Sequence, residues 1–327
     1  MKKGFFIFLI AFASQAYGHA SNDASTFFFV DALFWQLTDS SSENWGQIIP
    51  PSTDVNRTID VLKLTFDWNP GARIGVGRDN VFTDWDLALF YTWFQTRGNK
   101  QASASSGAIS SAYLGNFFAN NTDGSSISSS PTYRNASMRW KFWFNTLDLE
   151  LGRKLKINRL LQLRPFIGVK GGIIDQHMHT TWQNPTNAVN FSTATENLKN
   201  NFWGVGPVIG IDTTWTMCKT SKNFFNVFGN FSGAALWGHW NFSDLYQNNT
   251  PLSVAVKVDT VNGVSTMARG LLGIEWMRKT TSYKASLRLA YEAQVWFDQI
   301  QYYSYNMGRL ENLLAVQGLV LGFCFYF

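Results

Sequence analysis

By type, three histidines are the residues of this chain best equipped for chemistry. His177 and His179 stand two apart and would share one face of a strand, with His239 at the top of another. Two imidazoles on one face can help to hold a metal ion. With a carboxylate such as Asp175 or Asp244, they could instead activate water, as in an outer-membrane protease that pairs Asp and His. The plainer reading is preferred, because polar side chains at the rim of a loop need no catalytic role. Gly75 and Gly77 beside Arg73 mimic a fragment of a nucleotide loop, yet no helical pattern follows to present its amino-terminus to phosphate. Glycines there suit a wall that bends or admits bulky neighbours. The two cysteines, Cys218 and Cys324, make neither a metal site nor a disulfide framework, although they could pair in an exported protein. No catalytic, cofactor-binding or metal site is expected, and the chain is not expected to be an enzyme.

Most of the remaining ionisable residues alternate with apolar ones. Tyr283, Ala285, Leu287, Leu289, Tyr291 and Val295 oppose Lys284, Ser286, Arg288, Glu292 and Gln294. In a soluble sandwich this alternation means core and solvent; in a transmembrane barrel it means lipid and lumen. On the second reading the lumen carries Lys63, Asp67, Arg73, Asp86, Asp148, Glu150, Arg164, Lys170, Asp212, Arg269, Glu275, Lys284, Arg288 and Glu292, with the two signs about balanced. A hairpin closing near residue 157 sets Glu150 opposite Arg164. Another closing near 280 brings Glu275 close to Lys284 and Arg269 close to Glu292. Cross-strand charge pairs contribute about 0.2–1 kcal/mol each. Such groups can hold water and ions in a pore or plug a narrow interior, and a barrel of about ten to twelve strands lies between the filled and the open cases.

The two ends of the chain decide for the membrane. Lys2 and Lys3 precede an apolar run from Gly4 to Ala13 and then small residues through Gly18 and Ala20, the pattern of a secretory signal peptide. Residues 1–20 are therefore assigned to the signal and 21–327 to one barrel domain. No stretch approaches the ~20 apolar residues of a spanning helix, so strands must do the crossing. At the other end, Leu319, Leu321, Phe323, Phe325 and Phe327 share a face. An apolar strand that ends the chain leaves a sticky edge unless it pairs with the first strand and closes a barrel. Phe323, Phe325 and the terminal Phe327 also look like the signal by which the barrel-assembly machinery recognises outer-membrane barrels. Aromatic residues make up 16% of the chain, with 14 Trp, while the mean hydropathy is only −0.12. Lumen-facing polar groups cancelling lipid-facing apolar ones, with aromatic girdles at the two interfaces, account for both values. No basic stripe suggests nucleic acid.

Ten segments alternate: 26–37, 59–78, 84–97, 139–153, 161–176, 202–216, 224–241, 265–278, 282–298 and 314–327. The clearest places Trp85, Leu87, Leu89, Tyr91 and Trp93 on one face. Long connections (38–58, 98–138, 177–201, 242–264, 299–313) alternate with short ones (79–83, 154–160, 217–223, 279–281). This parity predicts an all-β transmembrane antiparallel barrel of about ten strands, with long external loops, short periplasmic turns and both termini in the periplasm. Two places strain the count. Asn69-Pro70-Gly71 could turn the chain inside 59–78, though one bent strand is preferred. Asn262-Gly263 is a strong hairpin signal after the alternating Leu252, Val254, Val256 and Val258, and it leaves twelve strands as the alternative.

Several segments, in order, resemble the pore-forming major outer-membrane protein family of Legionella and of the environmental relatives of Chlamydia. They are WDLALFYTWF from Trp85, LDLELGRKL from Leu147, LRPFIGVKGGIIDQ from Leu163, FWGVGPVIG from Phe202 and the closing strand from Gly318. The resemblance implies a pore in the bacterial outer membrane. It also places Asp148, Glu150, Arg153, Arg164 and Asp175 in recurrent motifs of structural or pore-lining character. Asn69-Pro70-Gly71 departs from the continuous strand that the family leads one to expect. The function expected is a porin for diffusion of small hydrophilic solutes, surrounded by outer-membrane lipid and free to form a homo-oligomer. The rival is a closed structural or adhesive barrel that works through its external loops.

Overall fold

The computed structural model describes residues 25–39, 45–51, 53, 58–82, 84–112, 131–186, 191–249, 253–280, 283–304 and 308–327. The leader assigned to residues 1–20 lies outside them. Among the described residues no helix is long and apolar enough to cross a membrane, and the elements are strands throughout. In chain order they are β1 (Thr26–Asp39), β2 (Gly46–Ile49), β3 (Asp60–Leu62), β4 (Asn69–Phe82), β5 (Trp85–Ser103), β6 (Ala108–Ser111), β7 (Tyr133–Arg153), β8 (Leu155–Lys156), β9 (Leu161–Pro185), β10 (Thr193–Lys219), β11 (Asn223–Asn248), β12 (Ser253–Lys279), β13 (Lys284–Ser304) and β14 (Gly308–Tyr326).

Ten of these close an antiparallel barrel in the order β1, β4, β5, β7, β9, β10, β11, β12, β13, β14. The seam is the pairing of first and last strands, from Phe27↔Tyr326 to Asp39↔Leu314. It is finished by Thr26 N donating to Phe327 O at 3.0 Å and Phe327 N to Thr26 O at 2.9 Å. Closure leaves no exposed ladder edge, which a bilayer requires. Ser25, where the described chain begins, and Phe327 thus lie at one rim, called lower here, and the short turns lie beside them.

Neither ambiguous segment reverses the chain at the suspected turn, but 59–78 is not the one bent strand expected: it divides into β3 and β4, with residues 63–68 between them outside any strand. Pro70 pairs opposite Phe34 and Gly71 opposite Leu33, so Asn69-Pro70-Gly71 begins β4 instead of turning, at the strand start where proline is tolerated. Residues 63–68 break its parity: Leu64 and Phe66 are buried, whereas in β4 the odd positions Arg73, Gly75 and Gly77 turn inward. Asn262-Gly263 also lies inside a strand, Asn262↔His239 and Gly263↔Gly238, and the ladder absorbs its irregularity opposite Trp240 and Phe242. Thr260 there has φ 53, the left-handed residue of a bulge. The hairpin signal failed because a bulge meets the same backbone demand without reversing the chain. The expected loops 177–201 and 242–264 are largely strand as well, since β9 to β12 rise well beyond the wall's apolar band.

The outward face is the apolar one. Leu321 is 58% exposed, Ile167 57% and Leu272 67%, with Leu319, Phe323, Leu287, Leu289, Val169, Ile173 and Val205 exposed around them. Water-soluble monomers rarely expose a contiguous apolar belt of this kind, and it fits lipid. The barrel interior is the core. At the upper mouth β2, β3 and β6 lie outside the ten-strand closure. Their segments place Trp45 against Trp182, ring centroids 6.0 Å apart, and the run before β4 sets Phe66 against Trp140 at 5.4 Å.

Candidate functional site in the barrel interior

Strand alternation turns one side chain in two inward, and in the lower half of the lumen these are charged. Arg73 on β4 reaches Glu292 on β13, three strands away around the wall. Its two terminal nitrogens donate to the carboxylate at 2.9 and 3.0 Å, its Nε donates to Thr92 Oγ1 at 3.0 Å, and Asp31 lies at 3.4 Å. Arg269 donates to the same carboxylate at 2.7 Å, as does Gln294 at 2.8 Å. Below, the Arg164 guanidinium faces three carboxylates: Asp86 at 2.6 Å, Asp212 at 2.7 Å and Glu150 at 3.1 Å. Asn230 donates to Asp212 at 2.6 Å. Lys170 pairs with Asp148 at 2.5 Å, Arg288 with Glu275 at 3.5 Å, and Lys154 with Asp79 at 2.7 Å. In Arg73–Glu292 and Lys170–Asp148 both members are desolvated, so removing one strands the other, whereas Lys154, Asp212 and Arg288 keep about a third of their side chains exposed.

The upper half is closed by aromatic rings. Phe144 on β7 and Trp296 on β13 start from opposite walls, five strands apart in either direction. Their ring centroids are 5.6 Å apart and nearly perpendicular, at 84°. Trp35 adds contacts to Phe94 at 5.6 Å and Phe144 at 6.3 Å. All four rings have 0% exposure. A Cβ on Gly172 would lie 3.5 Å from the Trp296 ring and 3.4 Å from Leu236, so the indole reaches the far wall. The two layers are joined. Trp296 Nε1 donates to Gln294 Oε1 at 3.3 Å, Gln294 in turn holds Glu292, and the Arg73 guanidinium lies over the Trp35 ring at 5.7 Å.

Of the residues read from sequence as lumen candidates, Arg73, Asp86, Asp148, Glu150, Arg164, Lys170, Asp212, Arg269, Glu275, Lys284, Arg288 and Glu292 hold inward positions on their strands. Lys63 and Asp67 do not. Leu64 and Phe66 take the inward positions of that run, and Lys63 and Asp67 are exposed. Arg164 meets Glu150 as expected, and Arg269 meets Glu292. Glu275 pairs instead with Arg288, its register partner, because the turn leaves Lys279 opposite Lys284; Lys284 sits over the Tyr326 ring at 5.5 Å. Sequence reasoning passed over Asp31, whose strand carries few other polar residues, and Asp79 and Glu196, which are also buried; Asp244, weighed only as a partner for histidine, is buried inside as well.

The girdle reading of the tryptophans holds for about half of them. Trp93, Trp203, Trp215, Trp237 and Trp276 are exposed on the wall, whereas Trp35, Trp45, Trp140, Trp182, Trp240 and Trp296 are at most 1% exposed. Alternation sends tryptophan to either face, and its spacing to its neighbours, not its frequency, tells which. Gly75 and Gly77 serve the wall: added Cβ atoms would collide with the Phe29 and Phe27 rings. Of the described histidines, two meet amide oxygens. His179 bonds Asn197 at 2.7 Å, His239 bonds Asn262, and Asp244 is buried on the opposite side of the wall from His239. Among the described residues no group of His, Cys, Asp and Glu could hold a metal, and Cys218 and Cys324 are both free.

The sequence matches the model of one protein family, described as the Legionella pneumophila major outer membrane protein precursor, over residues 22–327. The chain belongs to this family. As a member of it, the protein is an outer-membrane β-barrel. No curated protein sequence matches it. Its fold is similar to the outer membrane protease OmpT of Escherichia coli, at 12% identity and a TM-score of 0.42, covering 95% of this chain and 99% of that one. A major outer membrane protein of Thermus thermophilus matches at 10% identity and 0.36, covering 93% and 100%. A FadL homologue of Pseudomonas aeruginosa matches at 8% and 0.21, covering 94% and 90%.

Proposed function

We propose that this barrel is a narrow outer-membrane pore for small hydrophilic solutes and ions, with the aromatic layer as its constriction and the charged layer below as its filter. The chemistry of the lumen supports this. Ionisable groups inside a membrane span are expensive and tend to mark ion or solute paths, and buried ion pairs add little stability over apolar packing of the same shape. The buried atoms Asp148 Oδ2, Gln176 Oε1, Asn226 Oδ1 and Ser286 Oγ have no protein hydrogen-bond partner, and such atoms are ordinarily satisfied by water. Asp31, Asp79, Glu196 and Asp244 add to the acids already counted, which gives the path a preference for cations. The resemblance to a pore-forming family points the same way.

The lower rim, with its short turns and both termini, is the periplasmic one, and Phe323, Phe325 and Phe327 on the closing strand present the assembly signal. Cys218 is exposed near that rim and Cys324 is buried. A polymer-linked maleimide too large to enter should therefore label Cys218 in permeabilised cells and not in intact ones. Labelling of intact cells would reverse the orientation.

A second reading follows from the contact of Phe144 with Trp296. Rings meeting across the full lumen suit a sealed barrel that serves the envelope through its mass or its external loops. Planar-bilayer recording separates the two. Folded protein is expected to give small discrete steps, and the Trp296→Ala, Phe144→Ala double variant larger ones. Silence from both would establish the sealed barrel.

A further inference from the structure

Above the row of exposed tryptophans, one sector of the outer wall is strongly basic. Arg97 on β5, Lys141 on β7, His177 on β9 and Lys199 on β10 are successive register partners across four neighbouring strands. At ~4.8 Å between strands they form one short row. The next row up adds Arg139 and His179, again register partners. Arg97, Arg139, Lys141 and Lys199 are exposed, and among the described residues none makes an ion pair. Asp175 is the one carboxylate on the outward positions of β5, β7, β9, β10 and β11 among the described residues. A groove of about 640 Å³ runs through the patch, lined by Arg97, Lys100, Arg139, Lys141 and His179. Burial, and then the charges of Lys199, His179 and Lys141, hold the His177 pKa below its usual value, as a crowded positive field requires.

The height of the patch identifies what it faces. Arg97 is four residues above Trp93, Lys141 two above Trp143, and Lys199 four above Trp203 on their strands. At ~3.3 Å per residue this is ~7–13 Å along the strand, which carries the cations from the aromatic girdle to the headgroup layer. The wall of β13 and β14 presents Phe297, Asp298 and Leu313 at its upper end instead, so the basic sector is local and not a general feature of the rim.

We propose that this sector binds the phosphate groups of a phosphorylated glycolipid of the outer leaflet, with Arg97, Lys141 and Lys199 as the main contacts and Arg139 above them. Guanidinium forks take phosphate oxygens in pairs, and fixed cations at a membrane surface concentrate anionic headgroups. The assignment rests on the orientation proposed above, which the Cys218 labelling tests separately.

Native mass spectrometry of the folded full-length protein in detergent provides the test, with bisphosphorylated lipid A, the same lipid after phosphate removal, and inorganic phosphate as probes. The phosphorylated lipid should bind at least ~10-fold more tightly than the dephosphorylated one, a difference of ~1.4 kcal/mol. An Arg97→Gln, Lys141→Gln, Lys199→Gln variant should lose that difference, and Arg153→Gln, at the opposite rim, should keep it. Equal binding of the two lipids, full preference in the triple variant, or inorganic phosphate binding as tightly as the lipid overturns the proposal. Should the triple variant fail to fold, the unaltered protein decides. Raising salt must weaken its hold on the phosphorylated lipid and spare the dephosphorylated one, and a salt-independent preference overturns the site.

Discussion

The lower and upper halves of the lumen occupy the same inward positions of the same strands, yet they are closed by different physics. On β13, Lys284, Ser286, Arg288, Glu292, Gln294 and Trp296 follow one another up a single face, so the change from charge to ring happens within one strand. In the lower half, Arg73, Arg269 and Gln294 surround Glu292, which has 0% exposure. Each member there is tolerable only because the others are present. In the upper half Trp35, Phe94, Phe144 and Trp296 exclude water by volume, and losing one leaves a space that its neighbours and water can share. A charged lumen is thus vulnerable to loss of a partner, and an aromatic one to loss of bulk.

That contrast sets the order of expected effects. Glu292→Ala leaves Arg73 and Arg269, both largely shielded from bulk solvent, without the carboxylate that they share and should cost about 3–5 kcal/mol, read as a lower midpoint of urea unfolding in detergent. A loss under ~1 kcal/mol would mean that the two guanidinium groups find other partners once the carboxylate is gone. Trp296→Ala should cost about 3 kcal/mol and raise single-channel conductance, because the removed ring spans the constriction. If stability falls and conductance does not change, the solute path avoids the ring. Lys170→Gln leaves Asp148 uncompensated and should move the reversal potential in a salt gradient further toward cations, while Lys63→Gln, outside the lumen, should leave it where it was. Equal shifts would put the ion path elsewhere. Smallest of all, Lys154→Gln breaks a pair whose lysine is 31% exposed and should cost ~0–1 kcal/mol, within the scatter of the same unfolding experiment.

Alternation made the ten spanning segments legible, along with most of the residues that face inward, because a strand has only two sides. Lys63 was misplaced for the same reason: past Asn69-Pro70-Gly71 the parity had to be carried through a segment without a clear apolar face, and a single slip exchanges the sides. The pairing of Arg164 with Glu150 was within reach, since both strands meet at a short turn. The pairing of Arg73 with Glu292 was not, since it spans the lumen between residues more than two hundred positions apart. The basic sector was likewise hidden. His177 and His179 drew notice as possible catalysts, but their register with Lys141, Arg139 and Lys199 is a property of neighbouring strands and not of any one of them.

By itself the sequence determined that this chain crosses a membrane with strands, that its last strand must find its first, and that charged residues share the interior. Period-two patterning is a local signal, and it suffices because every strand in a closed barrel obeys the same rule. Only the tertiary structure decided which inward side chains meet, that rings close the upper lumen while ion pairs close the lower, and that six tryptophans serve the core. Those outcomes depend on barrel circumference and strand stagger, which bring opposite walls to within one ring contact, and no stretch of sequence encodes either quantity alone.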